Sequence, residues 1–363
     1  MIILGIETSC DETAAAIVEN GTKILSSCVA SSSDLHAKTG GIIPEVAARK
    51  QVEYIIPIIQ ECLLKAFGTP DHNNPILKAT ATKTLSDNVD AIAVTYGPGL
   101  IGSLLVGVET AKTLTYRHSK TLIPVNHIIA HAYGSFIKNN KKGSHKGDTP
   151  LPLFPAINLV VSGGHTQLLL IKNHNDIKVL GSTRDDAAGE AFDKIARILG
   201  LPYPGGPEIS EKAEKYLSVA KNVKLDLFPR PMIESDDYDF SFSGLKTSVK
   251  NYLNKSSGFD LNKIAAEVQE AIVDSLVEKT IKACVNLKPV SLLLSGGVSA
   301  NERLRKKLGY RSKVEIPDIV FHVPNPSLST DNATFIASRA FFSKKSSSWK
   351  ELDAKPDATI LDL

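Results

Sequence analysis

One structural plan occurs twice in this sequence: an apolar strand, a small polar turn and a second apolar strand. The first copy covers residues 1–21, with its polar turn at 7–13, and closes with an Asn-Gly hairpin signal. The second copy covers residues 157–173, with its turn at 162–166. The repeat predicts that one half of the chain is a diverged copy of the other.

Helical patterns alternate with these strands. A third glycine turn, at residues 295–301, follows an apolar run and leads into a helix, with Ser299 and Glu302 at the spacing of a capping box. Strands that alternate with helices predict an α/β protein. We expect longer helices at residues 45–66, 103–116, 186–199 and 262–285.

A chain of 363 residues exceeds the usual size of one hydrophobic core, which predicts two lobes. Residues 69–88 and 138–149 are polar, rich in Asn, Thr, Lys and Gly, and without periodicity, so we interpret both as insertions. We place the lobe boundary at the second insertion. The N-terminal lobe is then 1–137, joined by the C-terminal helix after about 331, and the C-terminal lobe is 138–363.

Composition excludes few functions. Lysine and arginine number 42 against 39 acidic residues, so the net charge of +3 permits a nucleic-acid partner without indicating one. Four cysteines without a C-x-x-C pair indicate a reducing compartment. The sequence has no apolar run of the roughly 20 residues that a membrane span needs, which predicts a soluble protein.

The spacing of His127 and His131 places two imidazoles about 6 Å apart on one face of a helix, where a single metal ion can bind both. Zinc proteases carry a glutamate after the first histidine, whereas this chain has Ile128. The pair therefore indicates a metal but not that class of hydrolase; the alternative is two unrelated histidines. Asp331 is a candidate third ligand, or a simple helix cap, and the set suits Zn²⁺ or Fe²⁺.

The small polar turns have the composition of anion sites. Hydroxyls and backbone N–H groups at residues 8–13, and Ser162 with the glycines at 163 and 164, allow close approach of a phosphate. Asp193 lies beside the apolar stripe of its helix, where a carboxylate can accept two ribose hydroxyls or can simply face solvent. Asn301 offers an amide to a base, and the rigid turn around Gly206 is a candidate pocket wall.

Seven motifs in register resemble the signatures of the TsaD family, the tRNA N6-adenosine threonylcarbamoyltransferases. That family is built on the duplicated ASKHA fold of actin, Hsp70 and sugar kinases, with two lobes around a central nucleotide cleft. The resemblance runs from position 4 to about 340. Its motifs are residues 4–13, 97–102, 126–131, 161–166, 186–193, 295–301 and 330–332.

The resemblance implies a metal-dependent acyltransferase that moves a threonylcarbamoyl group from threonylcarbamoyl-adenylate to N6 of adenosine 37, in tRNAs that read codons beginning with A. It makes His127, His131 and Asp331 the ligands of one zinc or iron ion. It places Ser9, Asp11 and Glu12 beside the reacting carbonyl. The implied adenylate-binding residues are Val160, Val161, Ser162, Gly163, Gly164, Asp193, Gly206 and Asn301.

Two alternatives share the fold. An ATP-dependent small-molecule kinase would use the same phosphate turns but would hold Mg²⁺ on carboxylates, without imidazoles. A non-catalytic scaffold, like the degenerate partner subunit of bacterial systems, would lose the metal ligands.

The resemblance also implies tRNA and the synthase that supplies threonylcarbamoyl-adenylate as partners. The amino-acid sequences of the motifs and the polar insertions most resemble a mitochondrial member of the family. This predicts a homodimer in the mitochondrial matrix, with a leader not present in this chain. The alternative location is the cytoplasm. Basic residues at 303–307, at 311 and 313, and at 138–142 are candidate phosphate contacts or solvated helix faces.

Overall fold

A computed structural model describes residues 1–32, 35–36, 41–68, 77–138, 150–220, 223–256, 258–343 and 345–362, and these contain both strands and helices. They form two units, one of Met1–Leu151 with Thr330–Leu363 and the other of Pro152–Ser329. The chain thus leaves the first unit at Leu151, after the 137/138 boundary that we predicted. Residues 139–149 lie outside the described part, and the predicted lobe limits stay a prediction.

The first unit has a five-stranded sheet in the order β3-β2-β1-β4-β5. Strands β1, β2 and β3 are antiparallel neighbours, whereas β4 and β5 run parallel to β1. The strands are β1 (Ile2–Glu7), β2 (Glu12–Glu19), β3 (Lys23–Ser31), β4 (Ala91–Gly97) and β5 (Thr121–Asn126).

The second unit repeats this arrangement. Its sheet has the order β8-β7-β6-β9-β10, again with an antiparallel meander of three strands followed by two parallel strands. The duplication predicted from the two hairpins is therefore confirmed. The strands are β6 (Ala156–Val161), β7 (Thr166–Asn173), β8 (Asp176–Ser182), β9 (Ser291–Ser295) and β10 (Val320–His322).

The four predicted helices are present as α1, α3, α5 and α8, with ends within a few residues of the prediction. Within the segment 69–88, which we interpret as an insertion, residues 77–88 form α2, while 69–76 are outside the described residues. No described helix could cross a membrane. The helices are α1 (Pro44–Phe67), α2 (Leu77–Asn88), α3 (Ile101–His118), α4 (His127–Ala132), α5 (Ala188–Ile198), α6 (Gly205–Val219), α7 (Ser243–Lys255), α8 (Leu261–Leu287), α9 (Glu302–Glu315) and α10 (Ala333–Ser343).

The core of the first unit lies on its central strands. All seven residues of β4 are buried, as expected of a parallel strand covered on both faces. Helix α10 approaches β1 at Gly5, where an added Cβ would lie 2.4 Å from the Ala333 carbonyl oxygen. Only glycine permits this approach. The contact seats the start of α10, and thus the neighbouring Asp331, beside β1.

Candidate functional site

Helix α4 begins where β5 ends and carries both histidines. The Asn126 side chain caps it, with Oδ1 accepting from the N–H groups of Ile128 at 3.0 Å and Ile129 at 3.2 Å. His127 and His131 are buried, and their Nε2 atoms lie 3.1 Å apart. The cap therefore fixes a short helix that directs two imidazoles to one point.

Asp331 completes this group. Its Oδ1 lies 3.4 Å from Nε2 of His131 and 3.7 Å from Nε2 of His127, and one ligand atom from each of the three residues lies within 4.8 Å of the others. Two imidazole nitrogens and one carboxylate oxygen are a donor set that zinc and non-haem iron accept. The three residues can hold one divalent ion.

The buried ionisable groups of this site shift one another's pKa. Burial alone would lower the pKa of His127, but the carboxylates of Glu7 and Asp331 raise it to about 9. Burial raises the pKa of Asp331 to about 6, against the opposing charge of His127. Burial, with the nearby charges of Asp331 and Asp11, raises the pKa of Glu12 to about 10. The site thus favours a cation.

The tip of the β1–β2 hairpin lies beside the histidines. Ser9 Oγ is 3.2 Å from Nδ1 of His127. The buried Gln51 of α1 holds the tip, because its Nε2 donates to the carbonyl oxygens of Cys10 at 3.0 Å and Glu12 at 2.9 Å. On the other side Ser103 Oγ donates to the Cys10 carbonyl at 2.9 Å. The tip is fixed by helices on both sides.

Asp11 and Glu12 share this tip. We placed Glu7 and Glu12 in the polar turn, but Glu7 ends β1 and Glu12 begins β2. Asp11 is partly buried, and its carbonyl oxygen accepts from both the N–H and the hydroxyl of Ser32.

The second unit contains a cavity of about 850 Å³. Of the eight residues predicted to bind the adenylate, Gly163, Asp193, Gly206 and Asn301 line it. The remaining lining residues are Gly189, Phe192, Tyr203, Pro204, Pro207, Ser210, Glu211, Glu214, Leu217, Ser218, Gln269, Gly297, Val298, Ala300, Glu302, Arg303 and Lys306.

Asp193 shapes one wall of this cavity. Its Oδ1 accepts from the Gly205 N–H at 2.7 Å, at the start of α6. The segment around Gly206 is therefore a helix N-terminus rather than the rigid turn that we predicted. A Cβ on Gly206 would meet nothing within 4 Å, whereas one on Gly205 would lie 2.5 Å from the Ala196 Cβ. Gly206 faces open space and Gly205 faces packed protein.

The side chain of Asn301, which we predicted to offer its amide to a base, makes hydrogen bonds within the protein. Its Oδ1 accepts from the Leu304 N–H at 2.9 Å, which makes it the N-cap of α9, and its Nδ2 donates to Ser210 Oγ and Gln269 Oε1. The expected capping box at Ser299 was wrong, since Ser299 lies in the preceding 3₁₀ turn, Gly297–Ala300. Both N–H groups of the Asn301 amide already donate to protein atoms, so the side chain shapes the pocket by fixing its wall.

The other four predicted residues do not line the cavity. Val160 and Val161 are fully buried in β6, so only their backbone can face a ligand. Ser162 exchanges hydrogen bonds with His165, which closes the β6–β7 turn. Gly164 is exposed at that turn.

The basic cluster of α9 is largely neutralised. Acidic residues spaced four apart on α8 face basic residues spaced four apart on α9, which gives the ion pairs Glu270–Arg303, Asp274–Lys307 and Glu278–Arg311. These contacts favour a structural role over contact with tRNA phosphates. Lys138 donates its backbone N–H to Thr22, while Lys141 and Lys142 lie outside the described residues.

Comparison with known proteins identifies the family. The family model described as "TsaD: tRNA N6-adenosine threonylcarbamoyltransferase" matches residues 23–338. The chain belongs to the TsaD family. Among curated relatives, the tRNA N6-adenosine threonylcarbamoyltransferase of Listeria welshimeri is 44% identical over 100% of this chain and 97% of that protein. The TsaD relative of Moorella thermoacetica, which carries the same name, is 46% identical over 94% of this chain and 91% of its own length.

Solved structures support the ASKHA fold expected of a TsaD chain. The structure of HypF from T. kodakarensis matches with a TM-score of 0.56 at 14% identity, over 94% of this chain and 47% of that one. The (R)-2-hydroxyglutaryl-CoA dehydratase component A of Acidaminococcus fermentans matches with a TM-score of 0.50 at 16% identity, over 94% and 98%. These likenesses concern the fold alone, and the predicted fold class is confirmed.

Sequence reasoning missed Glu7 and Gln51. Both are polar and fully or almost fully buried, and both contact the hairpin tip or the histidines. Glu7 follows an unbroken apolar run, and a carboxylate at the end of a buried strand is a usable signal of function. Gln51 carries no such signal, because a glutamine in a long amphipathic helix is ordinary.

Proposed function

We propose that this chain transfers the threonylcarbamoyl group of threonylcarbamoyl-adenylate to N6 of adenosine 37, in tRNAs that read codons beginning with A, with release of AMP. Membership of the TsaD family supports the reaction. The observation that carries the proposal is the convergence of His127, His131 and Asp331 beside the hairpin tip. A kinase of this fold needs no imidazoles.

We assign one Zn²⁺ or Fe²⁺ to His127, His131 and Asp331. The donor set fits, because two buried imidazoles and a carboxylate bring their ligand atoms within 4.8 Å of one another. When bound, the ion supplies a Lewis acid for the phosphate or carbamoyl oxygens of the substrate. The identity of the metal is part of the proposal.

Residues at the hairpin tip accept the proton that N6 loses. The amine N6 attacks the carbamoyl carbon, the bond from that carbon to the phosphate oxygen breaks, and N6 loses one proton. In the metal-free chain, burial and the neighbouring carboxylates raise the pKa of Glu12 to about 10. We assign acceptance of the proton to one of the two carboxylates of the tip, Asp11 or Glu12, with Ser9 as a hydrogen-bonding group at the carbonyl.

Positioning supplies much of the barrier reduction, since adenine N6 is a weak nucleophile. We assign binding of the adenosine moiety to the cavity of the second unit, where the Asp193 carboxylate can accept ribose hydroxyls. The open faces of Gly163 and Gly206 leave room for a ligand. The amide of Asn301 holds the cavity wall.

Two further partners belong to the proposal: tRNA as acceptor, and the synthase that supplies threonylcarbamoyl-adenylate. We also propose a homodimer. Helices α1 and α3 pack together in the first unit and expose four apolar side chains, Val52, Ile56, Ile101 and Leu105, each between 44% and 64% exposed. An exposed apolar set of this kind is typical of protein interfaces. Sedimentation of the purified chain, compared with its Val52→Glu variant, tests the dimer.

For localisation we propose the mitochondrial matrix, with the cytoplasm as the alternative. The amino-acid sequences of the motifs and the polar insertions support the mitochondrial matrix. The relatives named above are bacterial. Fractionation of cells that express the endogenous protein distinguishes the two. Recovery only in the cytosolic fraction would refute the matrix.

The experiment that tests the function combines purified chain, a divalent metal, chemically supplied threonylcarbamoyl-adenylate and unmodified tRNA. We expect threonylcarbamoyl-adenosine in the tRNA and one AMP per modified nucleoside. Activity without other proteins would also establish that no helper is required. A parallel reaction with ATP and small-molecule acceptors in place of the adenylate and tRNA tests the kinase, which would consume ATP and phosphorylate an acceptor. A folded chain that binds no metal would support the scaffold.

A further inference from the structure

A buried carboxylate lies on the far side of His127 from the metal group. Glu7 ends β1, and its side chain is 1% exposed. Its Oε2 lies 3.0 Å from Nδ1 of His127, and the hydroxyl of Thr95 donates to the same oxygen at 2.6 Å. The other oxygen, Oε1, accepts from the Ser9 N–H at 2.5 Å. Glu7 is thus held on both oxygens.

These contacts decide which nitrogen of His127 is available. An ionised carboxylate can only accept hydrogen bonds, so the Nδ1 atom that faces Glu7 carries the hydrogen. The lone pair of a neutral ring is then on Nε2. That atom lies 3.1 Å from Nε2 of His131 and 3.7 Å from Oδ1 of Asp331, on the side of the metal group.

We propose that Glu7 is a positioning residue, which fixes the ring orientation and tautomer of His127 so that Nε2 faces the metal. The inference rests on the proposed metal site. A carboxylate behind a ligating histidine raises the basicity of the ligand and holds its ring in place. Thr95 of β4 locks the carboxylate, and Ser9 ties it to the hairpin tip.

The Glu7→Gln variant tests this through hydrogen-bond direction rather than size. The Ser9 N–H is a fixed donor, so the glutamine oxygen must turn to it. The amide nitrogen then occupies the place of Oε2, where Thr95 can rotate its hydroxyl to accept. Nδ1 of His127 must also accept from that nitrogen, which moves the ring hydrogen to Nε2, the wrong atom for metal binding.

We expect zinc affinity of Glu7→Gln to fall roughly 10- to 100-fold, measured by competition with a chromogenic chelator. Circular dichroism checks that the variant is folded. Glu53→Gln, at an exposed glutamate of α1, is the matched control and should bind zinc like the wild type. If Glu7→Gln does not fold, Thr95→Val removes one donor to Glu7 without changing shape, and should lower zinc affinity by roughly 2- to 13-fold.

Nitrogen-15 NMR of histidine-labelled, zinc-loaded wild type gives an independent reading. We expect zinc on Nε2 of His127 and a hydrogen on Nδ1. Zinc on Nδ1, or unchanged zinc affinity in folded Glu7→Gln and Thr95→Val, would overturn the role of Glu7 and leave the transferase proposal intact. A wild-type chain that binds no divalent ion would overturn the metal centre and this inference with it.

Discussion

The Nε2 atoms of His127 and His131 lie 3.1 Å apart in a buried site. Two nitrogen ligands at about 2.0–2.1 Å from one zinc ion in tetrahedral geometry lie about 3.3–3.4 Å from each other. The separation in the folded chain is therefore close to that of a ligand pair. Burial of two facing imidazoles costs free energy that a cation offsets.

Loss of one histidine should remove the metal. We expect His131→Ala to retain less than a tenth of the bound zinc or iron of the wild type after dialysis, because two ligands hold a divalent ion far more weakly than three. Metal content is measured by mass spectrometry. His118→Ala, at the end of α3 in the same unit, is the control and should keep its metal. Full occupancy of His131→Ala would refute the assigned ligands.

Metal binding should depend on pH. In the metal-free chain the carboxylates of Glu7 and Asp331, acting against burial, raise the pKa of His127 to about 9, so Nε2 must lose a proton before it binds. Zinc affinity should rise about tenfold per pH unit between pH 6.5 and 8.5 and level off above 9. Calorimetry in buffers of different ionisation enthalpy at pH 7.5 should show about one proton released. Affinity independent of pH would contradict this.

The raised pKa of His127 also makes the stability of the metal-free chain depend on pH. The folded pKa of His127 lies above its ordinary value of 6.5, and the pKa of Glu7 is lowered, so the interaction of His127 with Glu7 is fully present at and just below pH 6.5. This contribution decreases as pH rises through about 9.

Adjacent glycines should respond differently to alanine. Gly205→Ala should destabilise the fold by about 1–3 kcal/mol, because the new Cβ would lie 2.5 Å from the Ala196 Cβ. Gly206→Ala should leave the free energy of unfolding almost unchanged, since its Cβ meets nothing within 4 Å, but should weaken AMP binding by filling the cavity. Denaturant unfolding and calorimetric titration with AMP measure the two effects. Equal AMP affinity of Gly206→Ala and wild type would place the nucleotide elsewhere.

The charged residues of α9 should matter for stability rather than for tRNA. Glu270 is 8% exposed and pairs with both Arg303 and Lys307, so Arg303→Ala should cost about 0.5–1.5 kcal/mol by removing one of its two cationic partners. Lys306→Ala breaks only the exposed pair with Glu302 and should change stability by less than about 0.5 kcal/mol. A large loss of tRNA affinity in either variant, measured at one fixed salt concentration, would contradict this division.

Unfolding at acidic pH should depend on the ion pair between Glu270 and Arg303. Although burial acts to raise the pKa of Glu270, its hydrogen bonds to Arg303 and Lys307 hold it below the ordinary value of 4.5. Stabilisation from these contacts is therefore present above pH 4.5 and is lost as pH falls through the lower folded pKa. The stability difference between wild type and Arg303→Ala should shrink below pH 4.

Much of the fold follows from local patterns. The two hairpins and the four long helices were predictable, because alternating apolar runs and amphipathic periods are local properties of the sequence. Helix α2 was not, since residues 77–88 are rich in Thr and Lys and show no apolar period. Its helical state depends on tertiary packing, which a local pattern does not contain.

The part of the site that could be predicted is the part where the residue type and spacing alone indicate a chemical role. The spacing of His127 and His131 indicates a metal, and the structure adds Glu7 through a contact over 120 positions of sequence. Asn301 shows the converse: an asparagine before a helix is a cap by local rules, yet the third glycine turn led us to offer its amide to a base. The Asn301 cap is thus a local contact, whereas the contact between Glu7 and His127 joins distant segments of the chain.

Transfer of threonine to tRNA is the most direct measurement. Wild type and His131→Ala, both purified, are given threonylcarbamoyl-adenylate made with carbon-14 threonine, unmodified tRNA and zinc or iron. We expect labelled threonylcarbamoyl-adenosine in tRNA with the wild type, and at least a hundredfold less with His131→Ala because the ion is lost, on the order of the effect of removing a catalytic metal ligand. Undiminished transfer by metal-free His131→Ala would contradict a metal-dependent transferase built on His127, His131 and Asp331.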